Sequence, residues 1–175
     1  MTQMFTEQQA LDLLHKYNIP ESRIRHCQCV ATFAFDVADT IHSRHPSRDV
    51  NPEKVRIAGL LHDIGRSKDG DHEINSVAIL KEEDLEDIAA IVMHGSMYEI
   101  SVVRGKADES LLPSTLENKI VAYADARCKD AVVSLQERFD EILARRNLEP
   151  AKLASVKIAR QRYFDLEKEL RELLT

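Results

Sequence analysis

Apolar residues recur at spacings of three and four along most of this chain, and few residues interrupt the pattern. Only five Gly and five Pro occur among 175 residues. The spacing is clearest over residues 20–42 and 150–173, where each predicted helix has one apolar face. In the second segment this face is formed by Val156, Ala159, Tyr163, Leu166, Leu170 and Leu173. No segment shows the alternation typical of strands, so the sequence predicts an all-α fold.

Helix-capping residues divide the chain into elements. Thr6 with Gln9 forms a capping box, and Asn51 followed by Pro52 is typical of a helix start. We predict helices over about 6–16, 20–42, 52–64, 73–81, 84–93, 115–128, 134–146 and 150–173, with a long loop over 95–114. We expect a single domain, residues 1–175, with its core over about 20–128. The C-terminal helical hairpin, about 134–174, is expected to pack on that core or on a second subunit of a homodimer.

Charge and cysteine content argue against several classes of protein. The net charge is −6, so a general surface for nucleic acid or anionic membrane is not expected. The three cysteines form no CxxC pair, which favours reduced thiols. The N-terminal segment MTQMFTEQQA has no apolar stretch of the signal-peptide type, and no segment approaches membrane-spanning length. We therefore expect a cytoplasmic protein.

Four residues with metal-binding side chains lie in apolar surroundings. His62 and Asp63 are adjacent in GLLHDIGR, where a helix is predicted to end and both side chains can turn toward one ion. His26 lies on the apolar face of its helix, and Asp125 lies inside the apolar segment IVAYADARC. A buried carboxylate needs a partner, and a metal ion is one. Imidazoles and carboxylates are usual ligands of Fe, Mn, Zn, Ni and Co, and carboxylates suit Mg.

Three segments resemble the HD superfamily of metal-dependent phosphohydrolases. RIRHCQCVATFAFDVAD resembles the first histidine helix of that family, GLLHDIGR resembles the HDIG variant of its central motif, and KIVAYADA resembles its last motif. Together they span residues 20–128. The resemblance implies an HD-domain helical bundle with a metal ion held by His26, His62, Asp63 and Asp125.

Two further histidines resemble those of an HD subset that holds a second metal. His72 in DHEINSVAIL and His94 in IVMHGSMYE match its layout, which is similar to that of the dinucleoside tetraphosphatase-like HD proteins. The resemblance implies two divalent ions bridged by Asp63, which is thereby also the catalytic residue. Fe or Mn is favoured, and Mg, Ni, Co and Zn remain open. The segment from Asp130 onward matches none of these proteins, so the substrate stays open.

The resemblance implies hydrolysis of a phosphate ester or anhydride by a hydroxide held between the ions. The expected partner is a small phosphate compound, with a nucleotide favoured. Arg66 and Lys68 follow the HD motif and are candidate substrate-binding residues, although a solvated basic loop is an equal interpretation. Arg104 and Lys106 are weaker candidates. Two alternatives remain: a di-iron oxygenase on the same scaffold, and a non-catalytic nucleotide-binding module.

Overall fold

The computed structural model describes residues 5–175, and within them the chain is helical with no strand. The nine α-helices of this part are α1 Glu7–Lys16, α2 Glu21–Arg44, α3 Pro52–Leu61, α4 His72–Glu82, α5 Glu86–Ala89, α6 Met97–Val103, α7 Leu116–Arg127, α8 Leu135–Leu143 and α9 Pro150–Leu174. Short 3-10 helices cover Ile64–Ser67 and Glu109–Leu111. The predicted all-α fold is confirmed. Residues 1–4, which begin the segment interpreted as lacking a signal peptide, lie outside the described residues.

The predicted caps form the expected hydrogen bonds. The Thr6 side chain accepts from the backbone N–H of Gln9, and the same reciprocal pairing joins Ser134 and Glu137 at the start of α8. The Asn51 side chain accepts from the Lys54 backbone at the start of α3. Each cap satisfies backbone donors that a helix start would otherwise leave without partners. Local sequence signals therefore predict these helix starts correctly.

Helices α2, α3 and α7 form the centre of the core. At Gly59 the backbones of α2 and α3 come so close that a Cβ atom there would lie 2.8 Å from Ala31 Cα. Ile120 and Val121 of α7 are fully buried in the same cluster. Because α2 carries His26, α3 ends next to His62 and α7 carries Asp125, this packing brings three candidate ligands to one place.

Two predictions between α4 and α7 are wrong. The helix predicted over 84–93 is only the four-residue α5, preceded by Asp84 with a φ of +58°, which no continuous helix can include. The loop predicted over 95–114 contains α6. Met97 and Ile100 of α6 are buried where it packs on α9. A helix of two turns is too short to show clear periodicity, and this one is stabilised by a partner that is distant in sequence.

The C-terminal hairpin packs on the rest of the same chain. Rings of Phe139 on α8 and Tyr163 on α9 lie 5.7 Å apart between centroids, and Leu166 and Leu170 are buried. Helix α9 also contacts α2, α6 and α7. This contact is one of the two that we predicted for the hairpin, and packing on a second subunit stays a prediction. None of the helices within residues 5–175 combines the length and apolarity needed to cross a membrane.

Candidate metal centre

The structure brings the six predicted ligands into one cluster. They come from separate elements: α2, the ends of α3 and α4, the segment before α6, and α7. The rings follow one another in the order His26, His62, His94, His72, with neighbouring centroids 5.4, 4.8 and 5.3 Å apart. Asp63 and Asp125 complete the cluster.

One end of the cluster contains His26, His62 and Asp125. Asp125 Oδ1 lies 3.1 Å from His26 Nε2 and 3.4 Å from His62 Nε2. Asp63 Oδ2 faces the same two nitrogens at 4.0 and 3.8 Å. Ligands about 2.0–2.2 Å from one ion lie roughly 3–3.5 Å from each other, so these four side chains are close to the spacing that one ion requires.

The other end contains His72 and His94. Asp63 Oδ1 lies 3.3 Å from His72 Nε2 and 3.5 Å from His94 Nε2. Glu73 is buried beside them, and its Oε2 lies 3.1 Å from His72 Nδ1. The two oxygens of Asp63 therefore face different pairs of imidazoles, which is the arrangement expected of a carboxylate that bridges two ions.

Outer contacts determine which imidazole nitrogen faces the centre. His62 Nδ1 lies 2.7 Å from the Gly59 carbonyl oxygen, and His94 Nδ1 lies 2.8 Å from that of Val92. His26 Nδ1 is 3.3 Å from the Lys129 carbonyl oxygen. A carbonyl oxygen only accepts, so each Nδ1 carries the hydrogen when the ring is neutral, and each Nε2 offers a lone pair to the centre. Such contacts are typical of metal-binding histidines.

Two buried atoms test whether a metal ion fits. His62 Nε2 and Asp63 Oδ1 are both buried, and neither has a hydrogen-bond partner among the described residues. A buried polar atom without a partner costs about 1–3 kcal/mol, so a native structure rarely keeps two of them at one place. Both atoms are good ligands for a divalent transition metal, and a cation between them would satisfy both. The donor set fits a metal ion.

The carboxyls and imidazoles shift one another's pKa values. Burial alone would raise the pKa of Asp63, but the neighbouring imidazoles and the Arg66 guanidinium hold it well below its usual range. Burial likewise opposes ionisation of Asp125, but the neighbouring His26 and His62 imidazoles hold its pKa well below its usual range. Burial lowers the pKa of His94, yet the surrounding carboxylates raise it to about 9. Positive charge is therefore strongly favoured at this centre.

Two arginines contact the Asp63 carboxylate. Arg66 Nε donates to Asp63 Oδ2 at 2.8 Å, and Arg23 Nη1 donates to the same oxygen at 3.1 Å. Arg66 also donates to His72 Nε2 at 3.0 Å. The structure thus brings Arg66 to the centre. It does not bring Lys68 there, because the Lys68 ammonium lies 3.4 Å from Glu82 on the surface.

Several residues at the site were missed by the sequence reasoning. Arg23 lies one helical turn before His26, and Glu73 follows His72 directly, so their positions were the available signals. No sequence pattern indicated a role for Ser76. Its hydroxyl donates to the His62 carbonyl at 2.7 Å and accepts from the Gly65 backbone N–H at 2.9 Å. It connects α4 to the turn that contains the HD motif. The weaker candidates Arg104 and Lys106 are exposed and do not line the pocket that opens beside the cluster.

The segment that carries His94 is held by side chains from two other helices. Asn118 of α7 donates to the Ile91 and Met93 carbonyls at 2.9 and 2.7 Å. Arg162 and Tyr163 of α9 both donate to the Gly95 carbonyl, at 2.9 and 3.0 Å. This segment has no regular secondary structure, so these bonds satisfy its backbone and orient His94.

A pocket with a cavity volume of about 150 Å³ opens beside the cluster. Its inner side is lined by His72, His94 and Asp125, together with Arg23 and Arg66. Its outer side belongs to the hairpin and includes Arg138, Phe139, Arg145, Lys152, Val156 and Tyr163. The pocket gives a small ligand access to the centre.

The comparisons with known proteins agree with this geometry. A family model described as HD domain matches residues 23–130, which contain all six clustered ligands. An uncharacterized protein of Methanocaldococcus jannaschii is 34% identical over 125 residues, covering 67% of this chain and 72% of that protein. No solved structure matches.

Two further relatives carry the name tRNA (cytidine(56)-2'-O)-methyltransferase. The protein of Picrophilus torridus is 31% identical over 160 residues, and that of Thermoplasma volcanium is 32% identical over 126 residues. The matches cover 87% and 68% of this chain but only 45% and 35% of those proteins. More than half of each methyltransferase therefore lies outside the similarity.

Proposed function

The chain belongs to the HD domain family, and on this premise we propose that it is a metal-dependent phosphohydrolase. The proposed substrate is a small phosphate ester or anhydride, with a nucleotide as the favoured class. Two divalent ions are proposed as cofactors, Fe or Mn before the others.

One observation carries the proposal: the two oxygens of Asp63 face different pairs of imidazoles. Oδ1 faces His72 and His94, and Oδ2 faces the pair at the other end of the cluster. A structural ion would need only one set of four ligands, closed to solvent. Here a second set continues from the first, and both border an open pocket. That combination supports catalysis better than a purely structural role.

Different residues of the chain have separate roles in the proposed hydrolysis. When bound, divalent cations lower the pKa of water and neutralise charge on phosphoryl oxygens. Asp63 and the imidazoles direct their lone pairs toward the space at the centre of the cluster. The hydrogen bonds from Nδ1 of His26, His62 and His94 to backbone carbonyls fix the orientation of those rings. Arg66 is partly exposed at the pocket and is available to donate to a phosphoryl oxygen. In the reaction, a bond forms between water oxygen and phosphorus, the bond from phosphorus to the leaving oxygen breaks, and that oxygen gains a proton.

The names of two relatives raise methyl transfer to tRNA as an alternative activity. We propose that it does not belong to the matched part, because that part contains the cluster of six ligands and less than half of each enzyme. The net charge of −6 also disfavours a large surface for RNA.

The test is phosphate release by the purified protein loaded with Mn²⁺ or Fe²⁺, with a panel of nucleotides and p-nitrophenyl phosphate. Asp63→Asn should abolish activity and most metal binding, because Asn has a single oxygen and no charge. The matched control is Asp69→Asn, which changes an exposed carboxylate outside the cluster and should keep both properties. Bound metal is measured by elemental analysis.

The outcomes separate the alternatives. Phosphate release that continues without oxygen distinguishes hydrolysis from the di-iron oxygenase. A metal-loaded protein that releases no phosphate from any compound, while it oxidises a substrate or methylates tRNA, would overturn the proposal. Full activity in Asp63→Asn would show that the centre is not catalytic.

A further inference from the structure

The hairpin formed by α8 and α9 completes the pocket, although it lies beyond the part matched by the family model. That match ends at residue 130, and α8 begins at Leu135. Three cations of the hairpin region line the pocket: Arg138, Arg145 and Lys152. Residues that face the metal centre from outside the shared domain are well placed to distinguish one substrate from another.

Within the hairpin, these three cations outnumber the carboxylates that pair with them. Arg138 and Arg145 both donate to the single carboxylate of Glu141, at 2.7 Å and at 2.9 and 3.1 Å. Arg138 Nε is buried with no partner among the described residues. Among the described residues, the Lys152 ammonium donates only to the Ser96 hydroxyl, at 3.1 Å. The hairpin therefore presents an excess of positive charge to the pocket.

The pocket linings and one contact associate the cations with different parts of the ligand cluster. Lys152 contacts Ser96, two residues after His94. Arg138 and Arg145 also line a neighbouring opening that contains His26. Because the rings run from His26 to His94 and His72, one cation is associated with one end and two with the other. A single phosphoryl group at the centre cannot reach both ends, whereas a chain of phosphoryl groups extends toward them.

Apolar side chains of the hairpin line the same pocket as these cations. Phe139, Ile142 and Val156 line the same wall of the pocket. They offer contact area to the non-phosphate part of a ligand, such as a nucleobase. Inorganic phosphate alone would gain no binding energy from this apolar surface.

Building on the phosphohydrolase function above, we propose that the hairpin selects compounds with two or more linked phosphoryl groups. Lys152 on one side and Arg145 with Arg138 on the other bind the phosphoryl groups that flank the one at the metal centre. Nucleoside diphosphates and longer polyphosphates fit this arrangement better than nucleoside monophosphates do.

Calorimetric titration with AMP and ADP tests the proposal, since the two differ by one phosphoryl group. The whole chain is titrated without added metal, so that neither hydrolysis nor chelation interferes. One additional charge-assisted contact should make ADP bind about tenfold more tightly than AMP. Because ADP has one phosphoryl group beside the one at the centre, whichever of Arg145→Gln and Lys152→Gln removes its contact should lose most of this preference, and both variants should keep their affinity for AMP. A preference that both variants keep overturns the proposal.

The control is Lys157→Gln, an exposed cation of α9 that does not line the pocket and should keep the preference. Thermal unfolding of each variant shows that it folds. The proposal is overturned if the wild type binds AMP and ADP equally, if it binds neither, or if a variant loses affinity for both nucleotides to the same extent.

A second assay separates this proposal from the proposed function. If ADP is preferred in binding but the metal-loaded protein releases no phosphate, the hairpin proposal stands and the hydrolase proposal fails. If phosphate is released from AMP and ADP with equal kcat/KM in the wild type and both variants, the hydrolase stands and the selection by the hairpin is refuted.

Discussion

Gly59→Ala is predicted to damage both the core and the metal centre through one added methyl group. The new Cβ would lie 2.8 Å from Ala31 Cα and 3.1 Å from Ala31 N, whereas ordinary contacts begin at 3.4 Å. Because both neighbours are backbone atoms of α2, no side-chain rotation relieves the clash. Helices α2 and α3 must separate by about 0.6 Å or more, the difference between 3.4 and 2.8 Å.

The expected loss of stability follows from two opposing terms. Overpacking of a core costs about 1–3 kcal/mol, and Ala stabilises a helix by about 0.5–1 kcal/mol relative to Gly. The two ranges leave a net loss of about 0–2.5 kcal/mol. Because the clash is with backbone atoms, we expect the upper part of this range, about 1–2.5 kcal/mol, which lowers the melting temperature by about 2–10 °C in a chain of this size. Metal sites tolerate changes in ligand distance of only about 0.2 Å, so the separation should also weaken binding between His26 and His62.

Urea unfolding and metal titration measure the two effects. The control is Gly105→Ala, where φ is +74° and no atom lies within 4 Å of the added Cβ. That variant should show local strain of about 1–2 kcal/mol and unchanged metal affinity. A Gly59→Ala protein as stable as the wild type, with unchanged metal affinity, would show that the helices absorb the methyl group and would refute the reasoning.

Three other predictions concern the centre, the hairpin and the cysteines. His94→Ala should reduce the bound metal from about two ions to about one, whereas Asp63→Ala should remove nearly all of it; equal loss in both variants, seen by elemental analysis, would indicate one shared site. Leu166→Ala should lower the free energy of unfolding by about 2–5 kcal/mol, because the side chain is only 6% exposed; a loss below about 1 kcal/mol in urea unfolding would mean loose packing. At pH 8 a thiol reagent should modify Cys29 first, since burial raises the pKa of the other two thiols and keeps them protonated; equal rates for all three would contradict this.

The sequence predicted those parts of the fold that depend on local signals. The capping boxes at Thr6 and Ser134 predicted helix starts correctly because a cap involves residues only three positions apart. Helix α6 was missed because its burial depends on α9, some fifty residues later in the chain. The shortness of α5 depends on the positive φ of Asp84, which no pattern of apolar residues indicates.

Sequence motifs indicate the candidate ligands but not the residues around them. His62 and Asp63 share a recognisable motif, but Ser76 supports it from a distant helix and carries no motif of its own. The cations of the hairpin were missed for the same reason: Lys152 was part of an amphipathic helix, and only the packing of that helix turns it toward the pocket. Lys68 is the converse case, since its closeness in sequence to the HD motif did not bring it to the centre.

The contact between His26 and Asp125 joins positions that are 99 residues apart in the chain. An ion held by both would act as a crosslink in a protein whose three cysteines are all free. A disulfide closing a loop of about 100 residues disfavours the unfolded chain by about 4.7 kcal/mol in the chain-entropy model, and coordination opposes unfolding in the same direction. The donors also meet only after α2, α3 and α7 have packed, so the ion can enter only late in folding. Removal of metal by a chelator should therefore accelerate unfolding more than it slows folding.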